Sequence, residues 1–382
     1  MQNEKEGDRM PANPFTPTFG IVPAYMAGRE DVIGELLRAL DNGVGDPNLV
    51  TIVSGARGTG KTALLSYVAD EAAARGWIAV NVSALPGMLD EIIQQTKKRA
   101  EHLVEPSGTA RISSIRFGNI AEVKLQEAES EAATWRIRME DLLDELAETS
   151  TGLLITIDEV REDLDEMIQV ASAMQHFLRE HRNIALLMAG LPTHVSALLQ
   201  NKSVSFLRRA NYHDLGTVED FEVAQAMTKT IEGAGRSIGD EALEKAVASI
   251  NGFPYMLQLV GYRAWEASPE SLCLSVADID VGVSHARIDM RRKIFDTTFK
   301  ELSKGDVRFL AAMLEDEGAS ELADIARRMG KKSNYASEYK RRLIEQGVIA
   351  DRGQGRLRIE IPLFKDYLKE RLGHDMPKGR GC

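Results

Sequence analysis

The sequence contains very little cysteine. Only two of its 382 residues, Cys273 and Cys382, are cysteines. Two cysteines so far apart provide no disulfide framework and no spacing for a metal site. A reducing cytoplasm is therefore the expected location of the protein.

The sequence also lacks long apolar runs. No segment approaches the roughly 18 consecutive apolar residues of a membrane helix, and the first 15 residues, MQNEKEGDRMPANPF, contain charge and proline where a secretory signal is apolar. We therefore expect neither a membrane span nor secretion. With 43% hydrophobic and 27% charged residues, the chain has the composition of a globular protein of two or three domains.

Positive charge is scarce except near the C-terminus. The net charge is −11, but residues 285–382 contain 22 basic and 16 acidic residues, and residues 1–284 contain 25 basic and 42 acidic residues. Between residues 327 and 358 ten basic residues stand against three acidic ones. This asymmetry suggests that the C-terminal region has an anionic partner.

Short apolar runs alternate with helical patterns over the first 200 residues. Continuously apolar strands separated by helices predict a parallel sheet covered on both faces. The 97 positions from Lys61 to Asp158 are more than one crossover needs, and we interpret the surplus, about residues 102–150, as an insertion with a hairpin, RISSIRFGNIAEVKL, and a charged helix. The four predicted strands are LVTIV, WIAVNV, GLLITI and NIALLMAG.

The most specific motif is a glycine-rich loop between the first strand and a helix. It matches the pattern G-x-x-x-x-G-K-[ST] at every fixed position. A glycine-rich loop that contains a lysine by chance would not be expected to have a strand before it and a helix after it. Glycines allow backbone N–H groups to face phosphate oxygens at a helix N-terminus. We expect the lysine to contact the β- and γ-phosphates and the threonine to bind Mg²⁺. The residues are Gly55, Ala56, Arg57, Gly58, Thr59, Gly60, Lys61 and Thr62.

Two adjacent carboxylates follow the strand LLITI. Asp158 would join the Mg²⁺ shell, and Glu159 would orient or deprotonate a water molecule. Alone, such a pair is as often the solvated start of a helix, but together with the glycine-rich loop it indicates hydrolysis of a nucleoside triphosphate.

These motifs resemble those of P-loop ATPases of the AAA+/STAND kind, particularly bacterial and archaeal ATPases related to replication-origin initiators. The resemblance extends from Tyr25 to the end of the chain and implies binding of ATP or ADP. It places the backbone of YMAGREDVIGELLRAL, beside Met26, Ala27 and Gly28, against the adenine.

The chain departs from that family pattern at one strand end. The polar sensor expected after IALLMAG is absent, and Thr193 is the nearest substitute. The resemblance also implies that Arg208 or Arg209 is an arginine finger, although two arginines at a solvated helix end fit equally well. In the helical lid, GFP resembles the GxP motif of STAND ATPases, whose proline lies near the base; here it is Pro254, which also suits the first turn of an ordinary helix.

The domain organisation follows from these segments. We expect an extended, proline-rich arm over residues 1–24, an α/β P-loop core over 25–215, a helical lid over 216–285 that begins with a helix at Thr217, and a winged-helix domain with a tail over 286–382. The last of these rests on three helical patterns followed by two strands around a Gly-Gln-Gly turn.

The third C-terminal helix, within SNYASEYKRRLIEQGVI, would present a recognition face. Ala336, Tyr339 and Leu343 fall at core spacing. The groove-facing and wing side chains would then be polar or basic, as duplex DNA requires. They are Asn334, Ser337, Lys340 and Arg341 on the helix and Arg352, Arg356 and Arg358 on the wing.

Two functions fit the sequence. The chain is either an ATPase whose nucleotide state controls assembly or remodelling on duplex DNA, with a homo-oligomer forming on nucleotide binding, or a slow STAND-like signalling switch whose winged helix docks a protein partner. A metabolic kinase is disfavoured because no segment remains for a small-substrate domain.

Overall fold

The computed structural model describes residues 12–18, 20–101, 131–351, 355–361 and 363–375, with backbone only at 131–134 and 374–375. The chain divides into two compact units. The sheet unit comprises residues 30–54 and 61–214. The helical unit comprises residues 1–29, 55–60 and 215–382.

The sheet unit is built on five parallel strands in the spatial order β2-β3-β4-β1-β5. The four apolar strands predicted from sequence are confirmed. The fifth, with the sequence NYHD, was missed because it is short and polar; among the described residues it pairs with β1 alone. The strands are β1 Val50–Ser54, β2 Ile78–Ser83, β3 Leu153–Asp158, β4 Ile184–Gly190 and β5 Asn211–Asp214.

Helices cover this sheet, and their apolar side chains form one core with the strands. Two short 3-10 segments, Pro47–Leu49 and Lys202–Arg209, lead into β1 and β5. The helices are α1 Glu30–Asn42, α2 Lys61–Ala74, α3 Met88–Glu101, α4 Glu131–Glu148, α5 Asp165–Arg179 and α6 Pro192–Gln200.

The second half of the predicted insertion is helical, as expected. Helix α4 packs on α3, where the Trp135 indole N–H donates to the Leu89 carbonyl over 3.0 Å, and Trp135 lies 6.5 Å from the Phe177 ring of α5. The predicted hairpin RISSIRFGNIAEVKL lies outside the described residues.

The helical unit begins with the N-terminal arm and the lid helices. The lid contains α7 Asp220–Gly233, α8 Asp240–Ile250, α9 Pro254–Ala267, α10 Val276–Met290 and a two-stranded parallel pair, β6 Ser237–Ile238 with β7 Cys273–Leu274. The predicted start of α7 at Thr217 is wrong. The Val218 N–H donates to the Gly252 carbonyl over 2.8 Å, which keeps this segment extended, and a capping box between Glu219 and Glu222 starts the helix instead.

The arm forms no helix or strand over residues 12–18 and packs on α9. Phe15 is 1% exposed. Its ring lies so close to Gly261 that a Cβ there would be 2.3 Å from Phe15 Cε1. The Asn13 side chain donates to the Tyr262 carbonyl over 3.1 Å, so the arm is fixed by side-chain contacts rather than by a sheet.

The C-terminal module, residues 291–375, follows α10 through a π-helical turn, Arg291–Phe295. Its small antiparallel sheet has the order β8-β10-β9, and the strand β8 was not predicted. The order of elements is consistent with the expected winged helix. They are α11 Asp296–Glu301, α12 Lys304–Met313, β8 Ser320–Glu321, α13 Leu322–Arg328, α14 Ser333–Glu345, β9 Ile349–Asp351, β10 Arg356–Ile359 and α15 Phe364–Asp375. Across the described ranges, no helix combines the length and apolar character needed to cross a membrane.

Candidate nucleotide site and basic surface

The glycine-rich loop runs from the end of β1 to the start of α2, as predicted. Gly58 and Gly60 have φ angles of +82° and +91°, which side chains with a Cβ rarely adopt. The Thr59 hydroxyl is buried and donates to the Ala56 carbonyl over 2.9 Å, whereas Arg57 is exposed. The loop therefore has the backbone freedom and the internal support that a phosphate cradle needs.

The lid residue nearest to Gly58 of this loop is Phe253. A Cβ on Gly58 would lie 2.5 Å from Phe253 Cζ, so the aromatic ring occupies the space that a larger residue would need. Phe253 is fully buried. Pro254 follows as the first residue of α9, in the helix position predicted for it, and its place beside a base stays a prediction.

Sequence reasoning missed Phe253, although one signal was present. The residue that precedes the first turn of a helix is usually Ser, Thr, Asp or Asn. An aromatic residue there gains no capping hydrogen bond, which indicates that its position is set by packing.

A buried arginine was also missed. Arg29 is 7% exposed. Its guanidinium donates to the carbonyls of Gly28 at 2.9 Å, Thr59 at 3.3 Å and Gly216 at 2.8 Å. It thus ties the predicted adenine segment and the start of the lid to the glycine-rich loop. The sequence pattern gave no sign that Arg29 is buried.

The predicted adenine segment has a constrained backbone. Gly28 has a φ of +62°, and a Cβ there would lie 2.7 Å from Glu222 Oε2. Met26 is half-buried and Ala27 is buried. Contact of these residues with a base stays a prediction.

The two predicted magnesium ligands are adjacent. Lys61 and Thr62 are the first residues of α2. The Thr62 hydroxyl donates to Asp158 Oδ2 over 2.6 Å, and Asp158 Oδ1 accepts from the Glu159 backbone N–H at 2.8 Å. A hydroxyl and a carboxylate are the hard oxygen ligands that Mg²⁺ prefers, so these residues fit the ion.

Glu159 stands at the carboxyl end of β3 in an unusual conformation. Its φ is +55°, a left-handed value that is uncommon for residues with a side chain. Its side chain is exposed. Ser150, His181, Asn251 and Leu363 have similar φ angles, so the role of Glu159 as the base stays a prediction.

The end of β4 carries no polar side chain, in agreement with the sequence. Gly190 is the last residue of the strand, and Thr193 is the second residue of α6. Beside them lies a pair that the sequence did not reveal, since its members are 32 positions apart: His194 Nδ1 and Glu162 Oε2 are 2.7 Å apart.

The two predicted finger arginines differ in their contacts. Both are exposed at the end of the 3-10 segment that precedes β5. Arg208 Nε donates to the Leu199 carbonyl over 2.9 Å, near the end of α6. Arg209 makes no hydrogen bond or ion pair within the described part of the chain.

Several basic residues of the C-terminal module are engaged in internal ion pairs. Arg328 binds Asp316 through two hydrogen bonds of 2.6 and 2.7 Å and lowers the pKa of that carboxyl to about 2. Arg342 binds the buried Asp306, which raises the pKa of the guanidinium. Lys340, predicted to face a groove, pairs with Asp351 at 2.5 Å.

The core of α14 matches its prediction. Ala336 and Leu343 are buried, and Tyr339 is partly buried against Gly305. Arg341 is 75% exposed, and its one ion pair with a described residue is to Glu345 in its own helix. Other polar and basic side chains remain exposed on α14, β10 and the turn before α14. They are Asn334, Ser337, Arg356, Arg358, Lys331 and Lys332. Arg352 and the first two residues of the predicted Gly-Gln-Gly turn lie outside the described residues.

Comparison with known proteins agrees with these observations. Residues 25–188 match the AAA ATPase domain family, and residues 292–368 match a domain of unknown function, DUF8462. No curated protein matches the chain.

Two solved structures show the same fold at low sequence identity. The ORC2 protein of Aeropyrum pernix, solved in ADPNP-ADP complexes, is 14% identical over 94% of this chain and 98% of its own, with a TM-score of 0.59. A Walker-type ATPase of Pyrococcus abyssi is 14% identical over 89% of this chain and 95% of its own, with a TM-score of 0.61.

Proposed function

We propose that this chain, a P-loop ATPase with the AAA+ fold, uses its nucleotide state to control assembly or remodelling on duplex DNA. The observation that carries the enzymatic half is the contact between Thr62 and Asp158, with Glu159 next in the chain. The DNA half rests on the exposed basic residues of the C-terminal module.

The residues at the sheet edge divide the work of hydrolysis among them. Lys61 contacts the phosphates of ATP, and Thr62 and Asp158 hold Mg²⁺. The ion, when bound, neutralises charge that develops on the phosphate oxygens. Glu159 orients the attacking water and accepts its proton, as a carboxylate within hydrogen-bonding reach does.

The positions of the two candidate finger arginines support slow turnover by a single chain. We assign the finger to Arg209 rather than Arg208, because Arg208 is held toward the end of α6. If a neighbouring copy supplies this cation, the isolated chain lacks one stabilising charge in the transition state, and assembly raises the rate. A homo-oligomer is therefore part of the proposal.

The DNA-binding surface is smaller than the composition implies. Arg328, Lys340 and Arg342 are neutralised inside the module. The exposed cations on α14, on the turn before it and on β10 are Lys331, Lys332, Arg341, Arg356 and Arg358, and we assign the phosphate contacts to them. Five contacts with a salt slope of about −0.9 each lower the affinity by about 10² to 10³ between 50 and 200 mM salt.

The same internal pairing supports the second candidate, a signalling switch that docks a protein. Tyr335 is 42% exposed on α14, and its ring lies 5.1 Å from the Lys331 ammonium. An aromatic side chain beside a cation suits a protein interface.

The decisive experiment measures ATP turnover and fluorescence anisotropy of a labelled duplex at 50 to 200 mM salt. We expect salt-sensitive binding by the full chain and faster hydrolysis with DNA. Arg356→Ala/Arg358→Ala should reduce the salt slope by about two units, and Lys61→Ala should weaken ATP binding in a folded protein.

A double variant on other elements provides the matched control. Lys300→Ala/Lys369→Ala removes the same charge from exposed positions of α11 and α15, and its salt slope should equal that of the wild type. Absence of salt-sensitive binding to any duplex, with or without ATP, would favour the protein-docking switch. Wild-type ATP affinity in the Lys61 variant would contradict the nucleotide site.

A further inference from the structure

The carboxyl end of β4 occupies the centre of the candidate site but offers no side chain for it. In the sheet, β4 lies between β3, which ends at Asp158, and β1, which leads into the glycine-rich loop. Ligands of open parallel sheets bind at this edge. Gly190 ends the strand, and the next two residues, Leu191 and Pro192, are also without a polar side chain.

The pair of Glu162 and His194 lies immediately beyond this gap. Glu162 follows β3 by four residues, and His194 is the third residue of α6. The two segments are held together, because the Val160 N–H donates to the Ala189 carbonyl over 2.9 Å and a Cβ on Gly190 would lie 3.1 Å from Val160 Cβ. The pair is therefore fixed at the edge of the sheet by backbone packing.

The contact between the two side chains leaves one imidazole nitrogen available. His194 Nδ1 faces Glu162 Oε2 at 2.7 Å, so the carboxylate orients the ring. His194 Nε2 makes no hydrogen bond within the described residues. The two side chains are 26% and 35% exposed, which leaves them accessible to a ligand.

We propose that His194, oriented by Glu162, is the polar group that contacts the terminal phosphate of ATP and distinguishes ATP from ADP. This assignment rests on the proposed ATPase function and replaces Thr193, which the sequence suggested. A hydrogen bond from an oriented imidazole to a phosphate oxygen is charge-assisted. ADP lacks that phosphate, so the contact adds affinity for the triphosphate alone.

The test compares the affinities of a non-hydrolysable ATP analogue and of ADP by calorimetric titration. His194→Ala should weaken binding of the analogue about tenfold or more and change ADP binding less than twofold. Glu162→Gln, which keeps the shape of the side chain, should also weaken binding of the analogue, but by a smaller factor. His194→Gln should restore part of the difference, because its amide donates from about the position of Nε2.

Two further variants give the controls. His176→Ala removes an exposed histidine from α5 and should leave both affinities unchanged. An equal loss of both nucleotides in folded His194 and Glu162 variants would overturn the assignment in favour of a structural role. If Thr193→Val selectively weakened binding of the analogue and His194→Ala did not, the phosphate contact would belong to Thr193 instead. Failure of the wild type to bind either nucleotide would instead contradict the proposed function itself.

Discussion

Charged residues are arranged differently at the sheet edge and in the C-terminal module. At the sheet edge, Asp158 ends a buried strand and Glu159 follows it directly, so their positions are set by the strand. In the module, Arg328 and Arg342 reach across helices to carboxylates far along the chain, Asp316 and Asp306.

The difference separates charge that acts on a ligand from charge that holds the fold. A side chain at a strand end faces the open edge, so its charge is available to a substrate. A guanidinium bound to a buried carboxylate is already neutralised, and its removal affects stability first. Variants in the two regions should therefore affect different measurements.

The largest effect is expected for Glu159. Glu159→Gln keeps the shape of the side chain and removes its basicity, so hydrolysis should fall by about 10² to 10⁴ while ATP binding and the free energy of unfolding stay unchanged. Single-turnover kinetics and calorimetric titration measure the two effects separately. Glu148→Gln, at an exposed position of α4, is the control.

Asp158→Asn should instead alter the dependence of turnover on Mg²⁺, because it weakens a metal ligand.

Turnover of the Glu159 variant within a factor of about two of the wild type would show that another group is the base.

A change at Arg342 should reduce stability and leave hydrolysis unchanged, the opposite of the change at Glu159. Asp306 is 1% exposed in its side chain, and Arg342→Ala would leave this carboxylate buried without its cation. A loss of about 2 to 4 kcal/mol in the stability of the module is expected, with ATP turnover in the absence of DNA unchanged. Hydrogen exchange of the α14 amides measures this loss.

The neighbouring arginine makes a matched control. Arg341 is 75% exposed and pairs with Glu345 one turn away; such surface pairs contribute little. Arg341→Ala should change the free energy of hydrogen exchange of the α14 amides by less than about 0.5 kcal/mol. It should instead weaken DNA binding. Equal destabilisation by the two variants would remove the distinction between the two kinds of charge.

The sheet edge was largely predictable from the sequence because its chemistry is local. The glycine-rich loop lies between Gly55 and Thr62, and the carboxylate pair directly follows an apolar strand. What the sequence could not reveal are contacts between distant segments, such as Glu162 with His194 and Phe253 with Gly58. No periodicity or spacing links positions that only the fold brings together.

Three helices and two strands of the module, α12 to α14 with β9 and β10, were predictable, but its free charge was not. Hydrophobic spacing correctly placed Ala336 and Leu343 in the core. A count of basic residues, however, treats Lys340 as equal to Arg356, although the first is paired with Asp351 and the second is exposed. Composition gives total charge, and only tertiary contacts decide how much of it faces a partner.

The smallest effect is a dependence of stability on acid pH that comes from Asp316. Arg328 lowers the pKa of Asp316 from 3.8 to about 2 in the folded protein. A lowered pKa adds stability above the pKa of the unfolded chain, and the gain disappears as pH falls from about 4 toward 2. Because the carboxylate is 26% exposed, we expect a contribution of about 1 kcal/mol rather than the full value of the shift.

In urea unfolding, the difference in the free energy of unfolding between wild type and Asp316→Asn should be constant above about pH 5 and narrow below about pH 4. Asp324→Asn, which breaks the exposed pair with Arg327, should show no comparable difference at any pH. A gap for Asp316→Asn that widens in acid would mean that this ion pair does not stabilise the module.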